Sequence, residues 1–146
     1  MTTAAVVYRS RTGTTRRFAE EIAAHLRSRG VEVTVASVGD ADLDALVDVD
    51  LLLLGSWTNG FFVVMQHPDG PWVSFARALP RVRARIGLFT TYRLAVGSMF
   101  ARMRDELRGR TPEPTVELAS RDGKLSERGR EALDRFLVAE AAGARG

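Results

Sequence analysis

The chain has 146 residues, close to the usual size of one domain, and a chain of that length buries roughly 68 to 70% of the surface its unfolded form exposes. With 45% hydrophobic and 27% charged residues it has the balance of a single globular domain over residues 1–146, neither a disordered tail nor a repeat array. Its net charge of +3 is uneven: through Gly70 six arginines face nine acids, whereas from Pro71 onward fifteen basic residues face nine acids. Zero cysteines exclude disulfides, thiolate nucleophiles and cysteine-ligated zinc or iron–sulfur centres. No apolar run approaches the about eighteen residues of a membrane span, and the start of the chain lacks the basic flank of a signal peptide, so a cytoplasmic protein without membrane attachment is expected.

In chain order, Ala4 to Tyr8 is a short valine-rich run and predicts a buried strand. Thr14 to Arg29 carries Phe18, Ile22 and Leu26 at spacing four, with Ala19 and Ala23 beside them, which predicts an amphipathic helix ended by Gly30. Val31 to Ser37 alternates apolar and polar residues, as a strand with one wet face does. Asp40 is expected to start a brief helix with Leu43, Leu46 and Val47 inward. Leu51 to Leu54 is uniformly apolar and predicts a strand buried on both faces, followed by a long connection from Gly55 to Pro71.

Pro71 suits a first helical turn, with Trp72, Phe75, Ala76 and Leu79 on one face before Pro80. Ile86 to Phe89 predicts a fourth strand. Ser98 is expected to open a helix with Met99, Phe100, Met103 and Leu107 inward. Val116 and Leu118 alternate in a fifth strand, and Ser126 caps a last helix carrying Leu133, Phe136 and Leu137. Five strands alternating with five helices imply an α/β fold with a mainly parallel sheet covered on both faces. Because the second and fifth strands alternate while the others are continuously apolar, those two are expected at the edges, in the order 2-1-3-4-5. That order puts the ligand crevice beyond the carboxyl ends of the first and third strands.

Metal chemistry finds little support. His25 falls inside a helix and His67 in a loop before Pro68, too far apart in sequence to suggest a cluster. Asp40, Asp42 and Asp44 imitate the start of a calcium loop, but Ala45 stands where that loop needs glycine and Leu51 where it needs glutamate. Only Lys124 is a lysine, and no aromatic-basic motif accompanies the arginines, so no specific nucleic acid is expected.

The loop Ser10-Arg11-Thr12-Gly13-Thr14-Thr15 follows a strand and opens a helix. It brings hydroxyls, a permissive glycine and free backbone N–H groups to the positive end of a helix dipole, which suits a phosphate group; a Thr-rich capping turn is the plain alternative. Neither the Gly-Lys pair of a Walker loop nor the spaced glycines of a dinucleotide fingerprint is present. Trp57 and Tyr92 are large aromatics at two strand ends, placed to stack on a flat heteroaromatic ligand or to fold over the core.

The stretch Val6-Val7-Tyr8-Arg9-Ser10-Arg11-Thr12-Gly13-Thr14-Thr15, continued by Ala19 and Ile22, resembles the N-terminal pattern of the flavodoxin family. Leu51 to Leu54 with Gly55-Ser56-Trp57-Thr58-Asn59-Gly60 looks like that family's third strand and first flavin loop, and Thr90-Thr91-Tyr92 falls where its second flavin loop begins. Without a long insertion in the fifth strand, the chain resembles the short-chain type. The resemblance implies a flavodoxin-like three-layer sandwich and noncovalent FMN, with the phosphate at Ser10 to Thr15 and the ring between the loops of Ser56 to Gly60 and Thr90 to Tyr92. It also implies that the carbonyl preceding Gly60 turns toward flavin N5 on one-electron reduction.

Two departures stand out. The second flavin loop lacks the family's early glycine and acidic residue and carries Arg93 instead, and the sequence pI is 10.1 where many flavodoxins are strongly acidic. The function implied is electron transfer through FMN with redox partner proteins, here acidic ones, drawn to Arg93, Arg102, Arg104 and Arg108. The alternatives are a small FMN-dependent reductase acting on a quinone or tetrapyrrole, and an apo flavodoxin-like interaction module. The apolar stretch Phe61 to Gly70 is expected to cover the flavin, to form a partner face, or simply to pack on the domain.

Overall fold

The computed structural model of the chain describes residues 1–61 and 64–145. Strand β1 (Thr3–Arg9) leads through the Ser10 to Gly13 loop into helix α1 (Thr14–Ser28), which buries Phe18, Ala19, Ile22, Ala23 and Leu26 on the face their spacing defines. Strand β2 (Glu32–Ser37) then pairs parallel with β1, Val33 opposite Ala4 and Val35 opposite Val6.

The brief helix expected from Asp40 does not form. Only a single 3-10 turn, Ala45–Val47, stands there, with Leu46 buried and Val47 41% exposed rather than inward. The cause is local. Asp42 Oδ1 accepts the backbone N–H of Asp44 at 3.1 Å, and the N–H groups of Ala45, Leu46 and Val47 reach back three residues rather than four. Short acidic side chains compete for backbone N–H groups in this way, which is why they favour turns over helix interiors.

Strand β3 (Leu51–Trp57) runs three residues beyond the expected Leu54. The long connection after it is not free loop. It holds an antiparallel hairpin of β4 (Asn59–Phe61) and β5 (Val64–His67), with Asn59 opposite His67 and a register shift between Asn59 and Phe61. Phe62 and Val63, within the apolar stretch expected to serve as cover or partner face, lie outside the described residues. Helix α2 (Gly70–Ala78), strand β6 (Arg85–Thr91), helix α3 (Met99–Leu107), strand β7 (Val116–Ser120) and helix α4 (Glu127–Arg145) complete the chain.

The large sheet is parallel in the order β2-β1-β3-β6-β7, which is 2-1-3-4-5 when only its own strands are counted. Among the described residues four α-helices and the 3-10 turn thus stand where five helices were expected. The edge strands are the alternating ones: β7 buries Val116, Leu118 and Ser120 and exposes Glu117 and Ala119.

Alternate residues of the central strands feed two cores. Leu51 and Leu53 join Phe18, Ile22, Phe89 and Leu133 on the α1 and α4 side, and Leu52 and Leu54 join Trp72, Leu88, Met99 and Met103 on the α2 and α3 side. At Gly55 the pleat has no room for a side chain, because a Cβ there would overlap the ring of Phe89, which packs edge-on against Phe18 with centroids 5.9 Å apart. This packing fixes where the carboxyl ends of β1, β3 and β6 emerge.

Candidate functional site

The loop between β1 and α1 turns at Gly13, whose φ of 95° and ψ of −10° lie in the left-handed region that L side chains resist. Ser10 Oγ accepts the Gly13 N–H at 3.0 Å and so closes the loop on itself. No side chain caps the first turn of α1, in contrast to α2, where Asp69 takes the Trp72 N–H. The leading N–H groups of α1 therefore face outward at the positive end of the helix. Arg11, Thr12 and Gly13 are exposed and Thr14 is half-buried, with the Thr12 and Thr14 hydroxyls 3.5 Å apart. A cleft of about 450 Å³ opens on the β2 side of the loop, where Ser10, Gly13 and Arg16 face Ser37 and Gly39.

Hydroxyl groups join this loop to the ends of β3 and β6. Thr15, 1% exposed, bonds Thr91 through their hydroxyls at 2.6 Å, across 76 residues of sequence. The Thr58 and Thr90 hydroxyls meet at 2.7 Å, Thr90 also donates to the Ser56 carbonyl at 2.7 Å, and the Thr58 N–H donates to the Thr91 carbonyl at 2.8 Å. Ser56, fully buried, donates to the Trp57 carbonyl at 2.9 Å. All three expected loops thus converge at one end of the sheet. Within them Thr15, Ser56, Thr90 and Thr91 are buried, while Ser10, Arg11, Thr12, Gly13, Thr14, Trp57, Thr58, Asn59 and Tyr92 keep access to solvent.

Trp57 ends β3 opposite Thr91, so Trp57 and Tyr92 stand at adjacent strand ends. The Trp57 indole N–H donates to Asp69 Oδ2 at 2.7 Å, and Arg9 Nε donates to the same oxygen at 2.7 Å. Asp69 is 6% exposed, and its other oxygen receives the Trp72 N–H at 3.3 Å. This one carboxylate therefore fixes the end of β1, the ring of Trp57 and the start of α2. The Arg11 guanidinium lies 5.3 Å from the Trp57 ring centroid, and that of Arg121 lies 5.5 Å from the Tyr92 ring centroid. Tyr92 is anchored by its N–H to the Ser120 carbonyl at 3.1 Å.

Asn59 and Gly60 lie in β4 at the register shift, not in an open two-residue turn. The hairpin leans on the second loop through Gln66, whose carbonyl accepts from Ser98 Oγ at 3.0 Å and whose side chain occupies the space a Cβ at Gly97 would need. Gly97 has a φ of 54°. Arg9, Asp69, Gln66 and Gly97 were not among the expected site residues. Asp69 looks like half of an Asp-Gly turn signal in sequence, and its position before Pro71 is the one hint that it caps a helix.

Asp122, in the loop after β7, takes the Lys124 N–H at 2.9 Å and the Ser120 hydroxyl at 3.2 Å, and these bonds, the backbone one first, hold its carboxyl below the usual carboxylate value. His25 is buried on α1, with Nε2 2.9 Å from Asp134 of α4, a seam between the two helices. His67 donates from Nδ1 to the Pro68 carbonyl at 2.8 Å. Among the described residues no group of three or more His, Asp or Glu is clustered to hold a metal ion, and no helix is long and apolar enough to cross a membrane.

A doubly wound α/β domain with a hydroxyl-rich loop before an uncapped helix and aromatic side chains at the carboxyl ends of β3 and β6 has the architecture of proteins that bind flavins or nucleotides at the carboxyl ends of their strands. A family model for flavodoxin matches residues 6–86, more than half of the chain, and the chain belongs to the flavodoxin family of flavin-binding electron-transfer proteins. Solved structures agree on the fold. A short-chain flavodoxin associated with a non-canonical PDU bacterial microcompartment is 18% identical, with 99% of each chain covered and a TM-score of 0.71. Oxidised flavodoxin 2 from Bacillus cereus is 18% identical, with 97% of this chain and 99% of that chain covered and a TM-score of 0.72. Two-electron reduced flavodoxin from Megasphaera elsdenii is 23% identical, with 88% and 94% covered and a TM-score of 0.67. No curated protein matches the chain.

Proposed function

We propose that this chain binds FMN noncovalently and passes electrons between partner proteins. The observation that carries the reading is the Thr15 to Thr91 bond of 2.6 Å, which ties the phosphate-type loop directly to the strand that leads into the second flavin loop. The donor set fits a phosphate monoester: uncapped N–H groups at the start of α1, the Thr12 and Thr14 hydroxyls, and a Gly13 with open space around it. A hydroxyl has one proton and two lone pairs, so with Thr91 donating to Thr15, the Thr15 proton is left for a phosphate oxygen. Arg11 adds a charge-assisted bond if it leaves the Trp57 face.

The ring would be held between the Ser56 to Gly60 segment and the Thr90 to Tyr92 segment, with Trp57 oriented by Asp69. When bound, FMN supplies the redox chemistry, and the protein contributes orientation and electrostatics. Absorbance of the purified protein in the visible flavin bands, followed by titration of the FMN-free chain with FMN and with riboflavin, tests this. FMN held more tightly than riboflavin is the expected result. Failure to take up FMN refutes the proposal in favour of an apo interaction module, and steady-state turnover with a soluble quinone would identify a reductase instead.

A further inference from the structure

The charge around the crevice differs from what the sequence suggested. Arg104 of α3 and Arg108 just after it are engaged by Glu117 and Asp105, so they are partly neutralised. At the mouth stand three other guanidinium groups: Arg11 against Trp57, Arg121 against Tyr92, and Arg93 directly after Tyr92, all exposed. Next to Arg93, Leu94 is 57% exposed. Of the acids in these loops, Asp69 is buried against Arg9, while exposed Asp122, which takes the Lys124 N–H and the Ser120 hydroxyl, keeps its negative charge beside Arg121 and offsets part of it, so the ring is positive by the margin that Arg11 and Arg93 add. Exposed Asp40 lies away from these rings, beyond the end of β2 at the sheet edge.

We infer that the mouth of the crevice is a docking surface for an acidic electron-transfer protein, with Arg11, Arg93 and Arg121 as its charged ring and Leu94 as apolar contact inside it. This rests on the flavin reading above. A small apolar contact ringed by one sign of charge gives a transient complex with fast, salt-sensitive association. In each encounter one electron leaves the partner's centre, which is oxidised, and enters the flavin, which is reduced. The selection comes from the local ring and not from the net charge of the chain.

The test uses a small acidic [2Fe–2S] ferredoxin as probe and basic cytochrome c as its opposite. Binding of oxidised ferredoxin is measured by calorimetry to the full chain, FMN-loaded and FMN-free, from low salt to about 0.3 M, across the range where the Debye length falls below roughly 10 Å. Affinity should drop about tenfold or more with salt in both forms, and Arg93→Gln/Arg121→Gln should remove most of that dependence. Arg81→Gln/Arg83→Gln, which changes the same number of charges at the opposite end of β6, should leave it intact. Electron transfer from reduced ferredoxin to the FMN-loaded chain should slow as salt rises, and transfer from the reduced chain to cytochrome c should not.

Salt-independent ferredoxin binding, or equal loss in both double variants, overturns the inference, the second outcome assigning the effect to net charge. A chain that takes up no FMN refutes the flavin reading alone, because ferredoxin binding to the FMN-free chain still decides the docking surface.

Discussion

Thr15 and Thr91 separate two roles that one loop threonine would otherwise combine. Both are nearly inaccessible, at 1% and 5% exposure, and their hydroxyls are 2.6 Å apart. Thr15→Val keeps the volume and deletes the hydroxyl, leaving the Thr91 hydroxyl buried without this partner, at a cost of about 1–3 kcal/mol. With a urea m-value of about 2 kcal/mol/M, the unfolding midpoint of the FMN-free chain should fall by about 0.5–1.5 M. Thr91→Val should do the same. The double variant, which removes both partners, should be less destabilised than the sum of the two.

Ligand binding should divide the pair. Thr15→Val also loses a charge-assisted bond to phosphate of about 1.5–3 kcal/mol, so FMN should weaken roughly tenfold to a hundredfold while riboflavin changes little. Thr91→Val should leave the FMN to riboflavin ratio nearly unchanged. Thr12→Ala, at an exposed site, should weaken FMN with stability within about 0.5 kcal/mol of the parent. Strictly additive destabilisation in the double variant, or equal effects of Thr15→Val and Thr91→Val on the ligand ratio, would refute the reasoning.

Gly55→Ala should destabilise the fold by about 1–3 kcal/mol in chemical denaturation, because the added Cβ overlaps the Phe89 ring in a closed core; an unchanged midpoint would mean that the ring yields freely. Gly60→Ala should lower the first-electron potential of the FMN-loaded protein by a few tens of millivolts, on a scale where about 59 mV is tenfold, if the carbonyl before Gly60 bonds flavin N5 after reduction. A redox titration with unchanged potential and FMN still bound would place β4 away from N5. Asp134 is held well below the ordinary carboxylate value of 3.8 by its bond to Arg29 and then by that to His25. A depressed folded value contributes stability above the unfolded value that is lost as pH falls through the folded one. The stability gap between Asp134→Asn and the parent should therefore be full at pH 7, begin to narrow below about pH 4, and close only as pH falls through the depressed folded value.

Much of this architecture is legible because burial imposes a period. Helix α1 shows itself through Phe18, Ile22 and Leu26, and the edge positions of β2 and β7 show through their alternation. The 40–47 segment misleads because its apolar residues have helical spacing, while Asp42 supplies a stronger local bond for the backbone. The β4–β5 hairpin is hidden for the opposite reason: Gln66 of β5 is held by Gly97 and Ser98 from across the chain, and no local pattern announces such contacts. In the site, the hydroxyls and Gly13 of the first loop can be read directly, but the partner of Thr15 lies 76 residues away. Asp69 escapes notice because an aspartate before glycine usually marks a turn, whereas its buried carboxylate here takes the Arg9, Trp57 and Trp72 N–H groups.

The arrangement of charge bears on how one chain can hold an anionic cofactor and still choose its partner. The polar groups that shape the crevice are neutral hydroxyls, and Asp69, a charged group buried beside them, is matched by Arg9 at 2.7 Å. Hydroxyls and compensated pairs cast short fields, so they fix geometry without acting on a protein that approaches from solvent. The guanidinium groups of Arg11, Arg93 and Arg121 are exposed, with Asp122 offsetting part of the Arg121 charge, and at an ionic strength of about 0.1 M the net positive field reaches about 10 Å, the scale of a docking contact. Arg104 and Arg108, already facing Glu117 and Asp105, add little to it. Cofactor geometry and partner choice thus rest on largely different residues. Substitutions at Arg93 and Arg121 should alter association rates without reordering the Thr15, Thr58, Thr90 and Thr91 hydroxyl network, and the reverse should hold for Thr91→Val.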